Sequence, residues 1–286
     1  MSTHAPLPRC FGVFGQPVAH SRSPAMHGAA FELLGLPHRY MAFAVAPERL
    51  PEAVRGAAAL GFGGVNLTVP HKQAALELCD TLAPNARRIG AVNTLRFDGD
   101  GIHGHNTDGA GFLAGLDELE GPPPTHATVL GAGGASLAIV DALLERFPAL
   151  ELTWVSRDPA RIEAHLAAGI GPGPDARARV RPCAWASFEQ PRGQLLVNTT
   201  IVGLAGGPAE FPRPVALDGL DTGARVIDIV YPRPSEGLLA RADGAGLATQ
   251  DGLPMLLWQG VRALELWLSR SLSMPAVTAM REALHR

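Results

Sequence analysis

Lysine is almost absent from this sequence. Its 286 residues include 24 Lys and Arg together, and Lys72 is the only lysine among them. An excess of charge is also lacking, because 27 Asp and Glu leave a formal net charge of -3. Balanced charge excludes the basic surface that attracts nucleic acids or acidic membranes. We therefore expect no nucleic-acid partner and no membrane partner, and the single lysine needs an explanation of its own.

Cysteine and long apolar runs are scarce too. Cys10, Cys79 and Cys183 lie far apart, without C-x-x-C or metal-type spacing. The simplest interpretation is a reducing cytoplasm. The first ten residues lack the apolar segment of a secretion signal, and no stretch approaches the roughly 20 apolar residues of a membrane span. The histidine spacings fit no ligand template, so we expect no metal.

Strand-like and helix-like segments alternate along the chain before a proline-rich segment at 121–125. The patterns predict strands at 10–15, 39–46 and 64–69, helices at 23–35, 47–61 and 70–82, and a hairpin around Asp98 to Gly101. This alternation is typical of parallel α/β architecture.

A second α/β segment follows the prolines. It begins with strand, glycine turn, helix and strand over residues 126–157, and two more buried strands are predicted at 194–200 and 225–231. Residues 171–182 have the composition of a surface loop. Two helices with proline near their starts end the chain.

The glycine turn "VLGAGGAS" follows a strand and opens a helix. Gly131 and Gly133 occupy the first two positions of the dinucleotide fingerprint, and Ser136 stands where the third glycine usually lies. The first glycine permits the tight turn, and the second lets backbone amides approach a pyrophosphate at the helix N-terminus. We therefore predict a Rossmann-type, doubly wound nucleotide-binding domain here.

The next strand ends in "WVSRDPAR", which bears on the choice of cofactor. An NAD-selective fold places an acid at this strand end, where Ser156 stands here. Arg157 and Arg161 suit a 2′-phosphate, which favours NADP. Asp158 leaves an alternative, since it could lie near the ribose or could cap the helix that begins at Pro159.

Small polar side chains gather in four short segments before residue 110. They are Ser21, Ser23, Asn66, Thr68, Lys72, Asn93, Asn106, Thr107 and Asp108. Local structure could explain several of them, with Ser23 and Asp108 as helix caps and the two strand-end asparagines as partners of the backbone. Together they suggest a site for a small, hydroxyl-rich molecule.

Lys72 and Asp108 are the candidate acid–base pair of that site. The predicted helix at 70–82 puts Lys72 in its first turn, where the helix dipole disfavours a positive charge. An amine can then donate and accept a proton, which a guanidinium does not do. A lysine and a carboxylate beside a ketone form a plausible acid–base unit.

With these residues in place, the chain resembles the shikimate dehydrogenase family. The resemblance rests on "GQPVAHSRSPAMH", "NLTVPHK", "GAVNT", "NTDGAGF", "GAGGAS", "NTT", "DIVY" and "DGLPMLLWQG", in order along nearly the whole chain. It implies an α/β enzyme of two domains. Residues 1–108, completed by helices in 252–286, would bind substrate, and residues 109–251 would form the NADP-binding Rossmann domain.

The resemblance also implies an activity and a role for each matching residue. The family interconverts 3-dehydroshikimate and shikimate with NADP in aromatic amino acid biosynthesis. Lys72 and Asp108 would be catalytic. Substrate contacts would come from Ser21, Ser23, Asn66, Thr68, Asn93, Tyr231 and Gln259. Cofactor contacts would come from Gly131, Ala132, Gly133, Gly134, Ala135, Ser156, Arg157, Arg161, Thr199, Thr200, Ile229 and Gly252.

Two departures from the family pattern keep alternatives open. The family often has Asn-Arg-Thr at positions 156–158, and usually a threonine where Glu236 stands. One alternative is a catabolic quinate/shikimate dehydrogenase that prefers NAD. Others are a non-catalytic NADP-binding sensor and an enzyme like methylenetetrahydrofolate dehydrogenase, against which the "HSRSP" segment argues. We expect a cytoplasmic monomer or homodimer.

Overall fold

The chain folds into two units. The computed structural model describes residues 7–171, 173–204, 206–232 and 236–286. One unit contains the chain up to Thr107 together with Leu257–Arg286, and the other is Asp108–Leu256. The predicted domain borders lay after residues 108 and 251, and the assignment of one domain to substrate and one to cofactor stays a prediction. Within the described residues, no helix is long and apolar enough to cross a membrane.

The first unit is built on a six-stranded sheet. Its strands are β1 Cys10–Gly15, β2 Arg39–Ala44, β3 Gly64–Leu67, β4 Thr81–Leu82, β5 Thr94–Asp98 and β6 Gly101–His105. Their order in the sheet is β2-β1-β3-β5-β6-β4. β1 runs parallel to β2 and β3, but β5 is antiparallel to both β3 and β6. The hairpin predicted around Asp98 to Gly101 is confirmed as β5 and β6, and its antiparallel strands make this sheet mixed rather than wholly parallel.

Helices cover this sheet and complete the unit. They are α1 Ser23–Leu33, α2 Leu50–Ala59, α3 Pro84–Ile89, and, from the end of the chain, most of α8 Leu253–Leu268 and all of α9 Met274–Leu284. α1 packs against α9. Val54, Val65 and Leu95 are fully buried in the apolar core between α2 and the sheet.

The helix predicted at 70–82 is wrong. The chain turns at residues 70–73, forms a 3₁₀ helix at Ala74–Leu78 and then enters β4. Asp80 N donates to Ile102 O and Ala83 N donates to Gly104 O, both at 2.8 Å. These bonds to β6 use backbone amides that a helix continuing to residue 82 would have needed, so sheet pairing prevails over helical propensity. Lys72 lies in the turn, so no α-helix dipole is available to act on its amine.

The second unit contains an all-parallel sheet. Its strands are β7 His126–Leu130, β8 Glu151–Ser156, β9 Val180–Ala184, β10 Gly193–Asn198, β11 Leu220–Asp228 and β12 Ala248–Gln250. The order β12-β11-β10-β7-β8-β9 is the doubly wound arrangement, which confirms the predicted fold class. Residues 171–182 were predicted as a loop, yet β9 begins at Val180. As an edge strand it tolerates Pro182, which obscured the pattern.

Within the described residues this unit has four complete α-helices, and one of them begins at the glycine turn. They are α4 Asp108–Leu116, α5 Gly134–Arg146, α6 Pro159–Ala167 and α7 Leu238–Gly244. α4 packs against α5 so closely that a Cβ on Gly109 would lie 2.7 Å from the carbonyl oxygen of Ala138. The absence of a side chain at Gly109 allows this approach.

The packing in the first unit predicts a sharp intolerance at Gly64. A Cβ there would collide with the Trp267 indole and lie 2.5 Å from Leu95 O, the acceptor of the indole N–H. Gly64→Ala should lower the free energy of unfolding by about 3 kcal/mol, as overpacking does. Chemical denaturation followed by circular dichroism measures this.

Gly56→Ala is the matched control. Nothing lies within 4 Å of a Cβ at Gly56 in α2, so alanine should raise stability by about 0.5–1 kcal/mol through helix propensity. Equal stability of the two variants would contradict the packing around Gly64.

Candidate active site

Asn66 anchors a buried polar network in the first unit. Its Oδ1 accepts a hydrogen bond from the Tyr40 hydroxyl at 2.8 Å. Its Nδ2 donates to Thr94 Oγ1 at 3.0 Å and to the carbonyl oxygen of Asn93 at 3.2 Å. Both amide hydrogens are therefore used inside the protein, and Asn66 is fixed in one orientation.

Tyr40 was missed by the sequence reasoning. Burial raises the pKa of its hydroxyl above the ordinary value, and a hydrogen bond with Ser23 acts in the opposite direction. The phenol therefore stays a neutral donor. The available signal was its place on β2, since the tyrosine follows the exposed Arg39 and alternation turns it inward.

Asn93 extends the network to Thr107, the residue that precedes the start of the second unit. Its Nδ2 donates to Thr107 Oγ1 at 3.0 Å, and its Oδ1 accepts from Thr107 N at 2.8 Å and from Thr94 Oγ1 at 2.9 Å. All three residues are buried. The chain is thus fixed immediately before Asp108, which is the next residue and the first of α4.

Lys72 extends from a turn that is tied to the same region. Its carbonyl oxygen accepts from Val92 N at 2.8 Å, one residue before Asn93. His71 secures the turn from the other side, with its Nε2 2.9 Å from Val45 O. Burial lowers the pKa of His71, which favours the neutral ring. The half-buried Lys72 therefore stands on a rigid base.

The Ser21–Ser23 segment opens α1. Ser23 N donates to Ser21 Oγ at 3.3 Å. Ser23 is the first helical residue and Arg22 occupies the cap position, so the capping explanation of Ser23 is wrong. Its hydroxyl bonds to Tyr40 instead. Gln259 lies in α8 beside Gly260, whose missing Cβ makes room for Met26 of α1.

In the second unit, the carboxyl ends of β7 and β10 form the point where strand order reverses. Thr199 connects the two ends, since its N and its Oγ1 both donate to Leu130 O, at 2.8 and 2.7 Å. Gly131 N donates to Val155 O at 2.8 Å on the other side. Ligands of doubly wound sheets bind in the crevice at this point.

A cavity of about 470 Å³ occupies that crevice. Among the predicted cofactor residues, it is lined by Gly131, Ala132, Gly133, Ser156, Arg157, Arg161, Thr199 and Thr200. Gly134, Ala135, Ile229 and Gly252 lie outside its lining. In the part of the chain that the structure describes, the amides of Ala132 and Gly133 donate to no protein acceptor. Unpaired amides before a 13-residue helix suit an anion.

The end of β8 supplies the polar groups on one side of this cavity, Ser156, Arg157, Asp158 and Arg161. Asp158 caps α6 by accepting from Ala160 N at 3.1 Å, which confirms the capping alternative. Ser156 Oγ accepts from Asp158 N at 3.2 Å, so its hydroxyl proton remains for another acceptor. Arg157 and Arg161 are exposed cations on the cavity wall. This set fits a 2′-phosphate.

Trp185 and Phe211 line the same cavity and were also missed. Their rings stack with centroids 5.6 Å apart and an interplanar angle of 8°. Trp185 directly follows β9, so recognising that strand would have placed it among the carboxyl-end residues. Phe211 lies in a loop, and no sequence pattern pointed to it.

Asn198 organises the end of β10 as Asn66 does in the first unit. Its Oδ1 accepts from Thr200 Oγ1 at 2.7 Å, and its Nδ2 donates to Asp228 Oδ1 at 2.9 Å. Asp228 also accepts from Val230 N at 3.1 Å. Burial raises the pKa of Asp228 to about 6, against the lowering effect of these two bonds.

Gly252, Ile229 and Tyr231 lie close together beyond this strand end. A Cβ on Gly252 would collide with Ile229 O and lie 3.1 Å from the Tyr231 ring. Only glycine permits this approach.

No group of three His, Cys, Asp or Glu able to hold a metal ion occurs among the described residues.

Known proteins resemble this chain over most of its length. The family profile described as shikimate dehydrogenase substrate binding domain matches residues 13–95. Shikimate dehydrogenase (NADP(+)) of Methylobacterium radiotolerans is 46% identical over 269 residues, covering 91% of both proteins. The chain belongs to the shikimate dehydrogenase family.

Two solved structures that resemble this chain belong to enzymes whose names give different substrates. Shikimate 5-dehydrogenase of Thermus thermophilus, in complex with NADP(H) and shikimate, matches with a TM-score of 0.78 at 38% identity. It covers 97% of this chain and 99% of that one. The 5-ketofructose reductase of a Gluconobacter strain matches with a TM-score of 0.84 at 33% identity, over 99% of both chains.

The raised pKa of Asp228 predicts how stability depends on pH. The protonated carboxyl is favoured in the fold, so its contribution is present below the ordinary pKa of 3.8 and is lost as the pH rises through about 6. Asp228→Asn keeps the Oδ1 acceptor and cannot ionise. It should gain stability relative to the parent between pH 4 and 8, by on the order of 2 kcal/mol.

Thermal unfolding across this pH range tests the effect. Asp218→Asn, which changes an exposed carboxylate in the same unit, should keep the parent's profile. A constant difference between Asp228→Asn and the parent at all pH values would refute the assignment to Asp228.

Proposed function

We propose that this chain reduces 3-dehydroshikimate reversibly to shikimate with NADPH, in the biosynthesis of aromatic amino acids. One observation carries the proposal. In a chain of this family, the only lysine stands on a turn bonded next to Asn93, and Asn93 fixes the backbone just before Asp108. We further propose a cytoplasmic enzyme that acts as a monomer or homodimer.

The first unit would hold the substrate. Ser21, just before α1, and Ser23, its first residue, would hold the carboxylate through their hydroxyls. For Ser23 this contact exchanges its hydrogen bond with Tyr40 for one to the substrate. Thr68, Asn93, Gln259 and Tyr231 would contact the ring or its hydroxyls.

For Asn66 we propose a supporting task in place of the predicted contact with substrate. Both of its amide hydrogens are bonded inside the protein, so it cannot donate to a substrate without breaking a buried bond. Its role is to hold Tyr40 and Asn93 in place.

The chemistry needs one hydride and one proton. NADPH supplies the hydride to the ketone carbon when it is bound. Lys72 gives its proton to the oxygen of the forming alkoxide, and takes it back in the reverse direction. Asp108 accepts a hydrogen bond from the neighbouring hydroxyl and orients the amine. An arginine at position 72 would keep the charge but would not release the proton.

The second unit would hold the cofactor. Residues 131–135 cradle the pyrophosphate, with the Ala132 and Gly133 amides as donors, because the Gly131 amide is bonded to Val155 O. Ser156, Arg157 and Arg161 bind the 2′-phosphate. Thr199, Thr200, Ile229 and Gly252 line the remainder. The helix cap formed by Asp158 Oδ1 accounts for an acid at this position without selection of NAD through the ribose.

Replacing Lys72 tests the acid–base role. Lys72→Arg preserves charge and approximate reach but should lower kcat by about 10²–10⁴-fold, the usual worth of a positioned proton donor. Turnover of shikimate with NADP, followed by the absorbance of the reduced nicotinamide, measures this. Gln73→Ala changes the exposed neighbour and should keep parental activity. Near-parental turnover of Lys72→Arg would remove Lys72 from the mechanism.

Replacing Arg161 tests the choice of cofactor. Arg161→Ala should raise the KM for NADP about tenfold, by loss of a charge-assisted contact to phosphate, and leave the KM for NAD unchanged. Arg146→Ala alters an exposed arginine of the same unit that pairs with Asp117 at 3.5 Å, and should change neither value. Equal effects on both cofactors would contradict a 2′-phosphate contact.

Reduction of a ketose is a second candidate, favoured by the match with 5-ketofructose reductase. That sugar carries no carboxylate for Ser21 and Ser23 to hold. Oxidation of NADPH should therefore be compared for 3-dehydroshikimate and 5-ketofructose, and reduction of NADP and NAD for shikimate and quinate. Activity with the sugar alone, or with quinate and NAD alone, would replace the primary proposal.

A further inference from the structure

Trp154 is a buried tryptophan that the proposed chemistry leaves unexplained. It lies in β8 opposite Val129 of β7, and its side chain is fully buried. Its indole N–H nevertheless has a specific partner, since Nε1 donates to the carbonyl oxygen of Gly131 at 2.7 Å. Gly131 is the first residue of the glycine turn, so an apolar core residue is bonded directly to the candidate pyrophosphate site.

This bond determines where the next amide points. The carbonyl of Gly131 and the N–H of Ala132 belong to one planar trans peptide and point in opposite directions. Because the carbonyl is directed at the indole in the core, the N–H of Ala132 is directed away from it. Ala132 lines the cavity, and its amide has no protein acceptor within the described residues.

We propose that Trp154 is a positioning residue for cofactor binding, which holds the Gly131–Ala132 peptide so that the Ala132 amide faces the pyrophosphate. The inference rests on the proposed use of this turn for NADP. Thr199 is a weaker holder of the same carbonyl, because its Oγ1 lies 3.4 Å from Gly131 O but only 2.7 Å from Leu130 O.

A holder is needed because glycine does not fix its own peptide. Gly131 has a φ of 103°, a region that only glycine enters readily. A peptide free to rotate would have to be ordered when the ligand binds, and that cost weakens binding. The indole bond is made before any ligand arrives.

The rest of the Trp154 ring is held independently of this bond. It stacks on His165 of α6, with centroids 6.1 Å apart and an interplanar angle of 21°. Burial lowers the pKa of His165, which favours a neutral ring. Trp154→Phe therefore keeps an aromatic ring against His165 and removes the donor.

The affinities for two different ligands distinguish this positioning role from a general structural role. NADP reaches the glycine turn, whereas adenosine 2′-monophosphate has no pyrophosphate and occupies only the Ser156–Arg161 side. Calorimetric titration should show a Kd for NADP about three- to tenfold higher in Trp154→Phe, the worth of one hydrogen bond. The Kd for adenosine 2′-monophosphate should not change. The KM for NADP should rise equally, with kcat and the KM for shikimate unchanged.

Trp267→Phe is the matched control. Its indole N–H also donates to a buried carbonyl, that of Leu95 at 2.9 Å, in the other unit. It should bind both ligands as the parent does. If Trp154→Phe does not fold, benzothienylalanine at position 154 replaces the indole N–H by sulfur at nearly the same volume, and the same titrations apply.

Three outcomes would overturn the proposal. Unchanged NADP affinity in Trp154→Phe would mean that the bond does not position the turn. An equal loss of affinity for both ligands would mean that the variant merely disturbs β8. Failure of the parent itself to bind NADP would remove the proposed function as well, and is recognised before any variant is made.

Discussion

A buried amide must have partners for all its polar atoms, and this constraint shapes the first unit around Asn66 and Asn93. Their side chains connect β2, β3, β5 and the residues before α4 through direct hydrogen bonds. Within a low-dielectric interior such bonds strengthen one another, and loss of any partner leaves a group unsatisfied at a cost of about 1–3 kcal/mol. The network therefore has one favourable arrangement. The turn that bears Lys72 is attached to this network through Val92. The rigid network therefore also holds the backbone of the proposed catalytic lysine.

The second unit applies the same rule at the end of β10, where Asn198 connects Thr200 with Asp228. Beside it the glycine turn does the opposite. The amides of Ala132 and Gly133 line a cavity and find no acceptor in the described protein. Polar groups that are hydrogen-bonded inside the protein thus support the structure, whereas unpaired amides in a cavity are available to a ligand. Asn66 serves as scaffold because both of its amide hydrogens are bonded inside the protein. The glycine turn is the proposed cofactor site because two of its amides are not.

The sequence predicted what depends on local pattern and missed what depends on distant partners. Strong periodicity predicted β1, β7, α5 and α8, and the glycine fingerprint predicted the crevice. The helix at 70–82 failed because β6, some twenty residues away, captured positions 80 and 83. β9 was missed because an edge strand can be polar and contain Pro182. Tyr40 and Trp154 were overlooked for a related reason, since nothing local indicates that a phenol will meet Asn66 or an indole the carbonyl of Gly131. Asn66 was recognised as important, but its role as scaffold follows only from its partners.

The single lysine is now explained differently. A helix dipole was expected to act on Lys72, and the α-helix that would supply it is not formed. Elsewhere the chain uses guanidinium for permanent ion pairs, such as Arg96 with Asp98 at 2.8 Å and Arg262 with Glu265 at 2.7 Å. That choice suits pairs in which the charge never changes. An amine is retained at Lys72, whose backbone is bonded beside Asn93 and whose proposed task is to lose and regain a proton. Rigidity and proton exchange are separate requirements, and the turn supplies the first while lysine supplies the second.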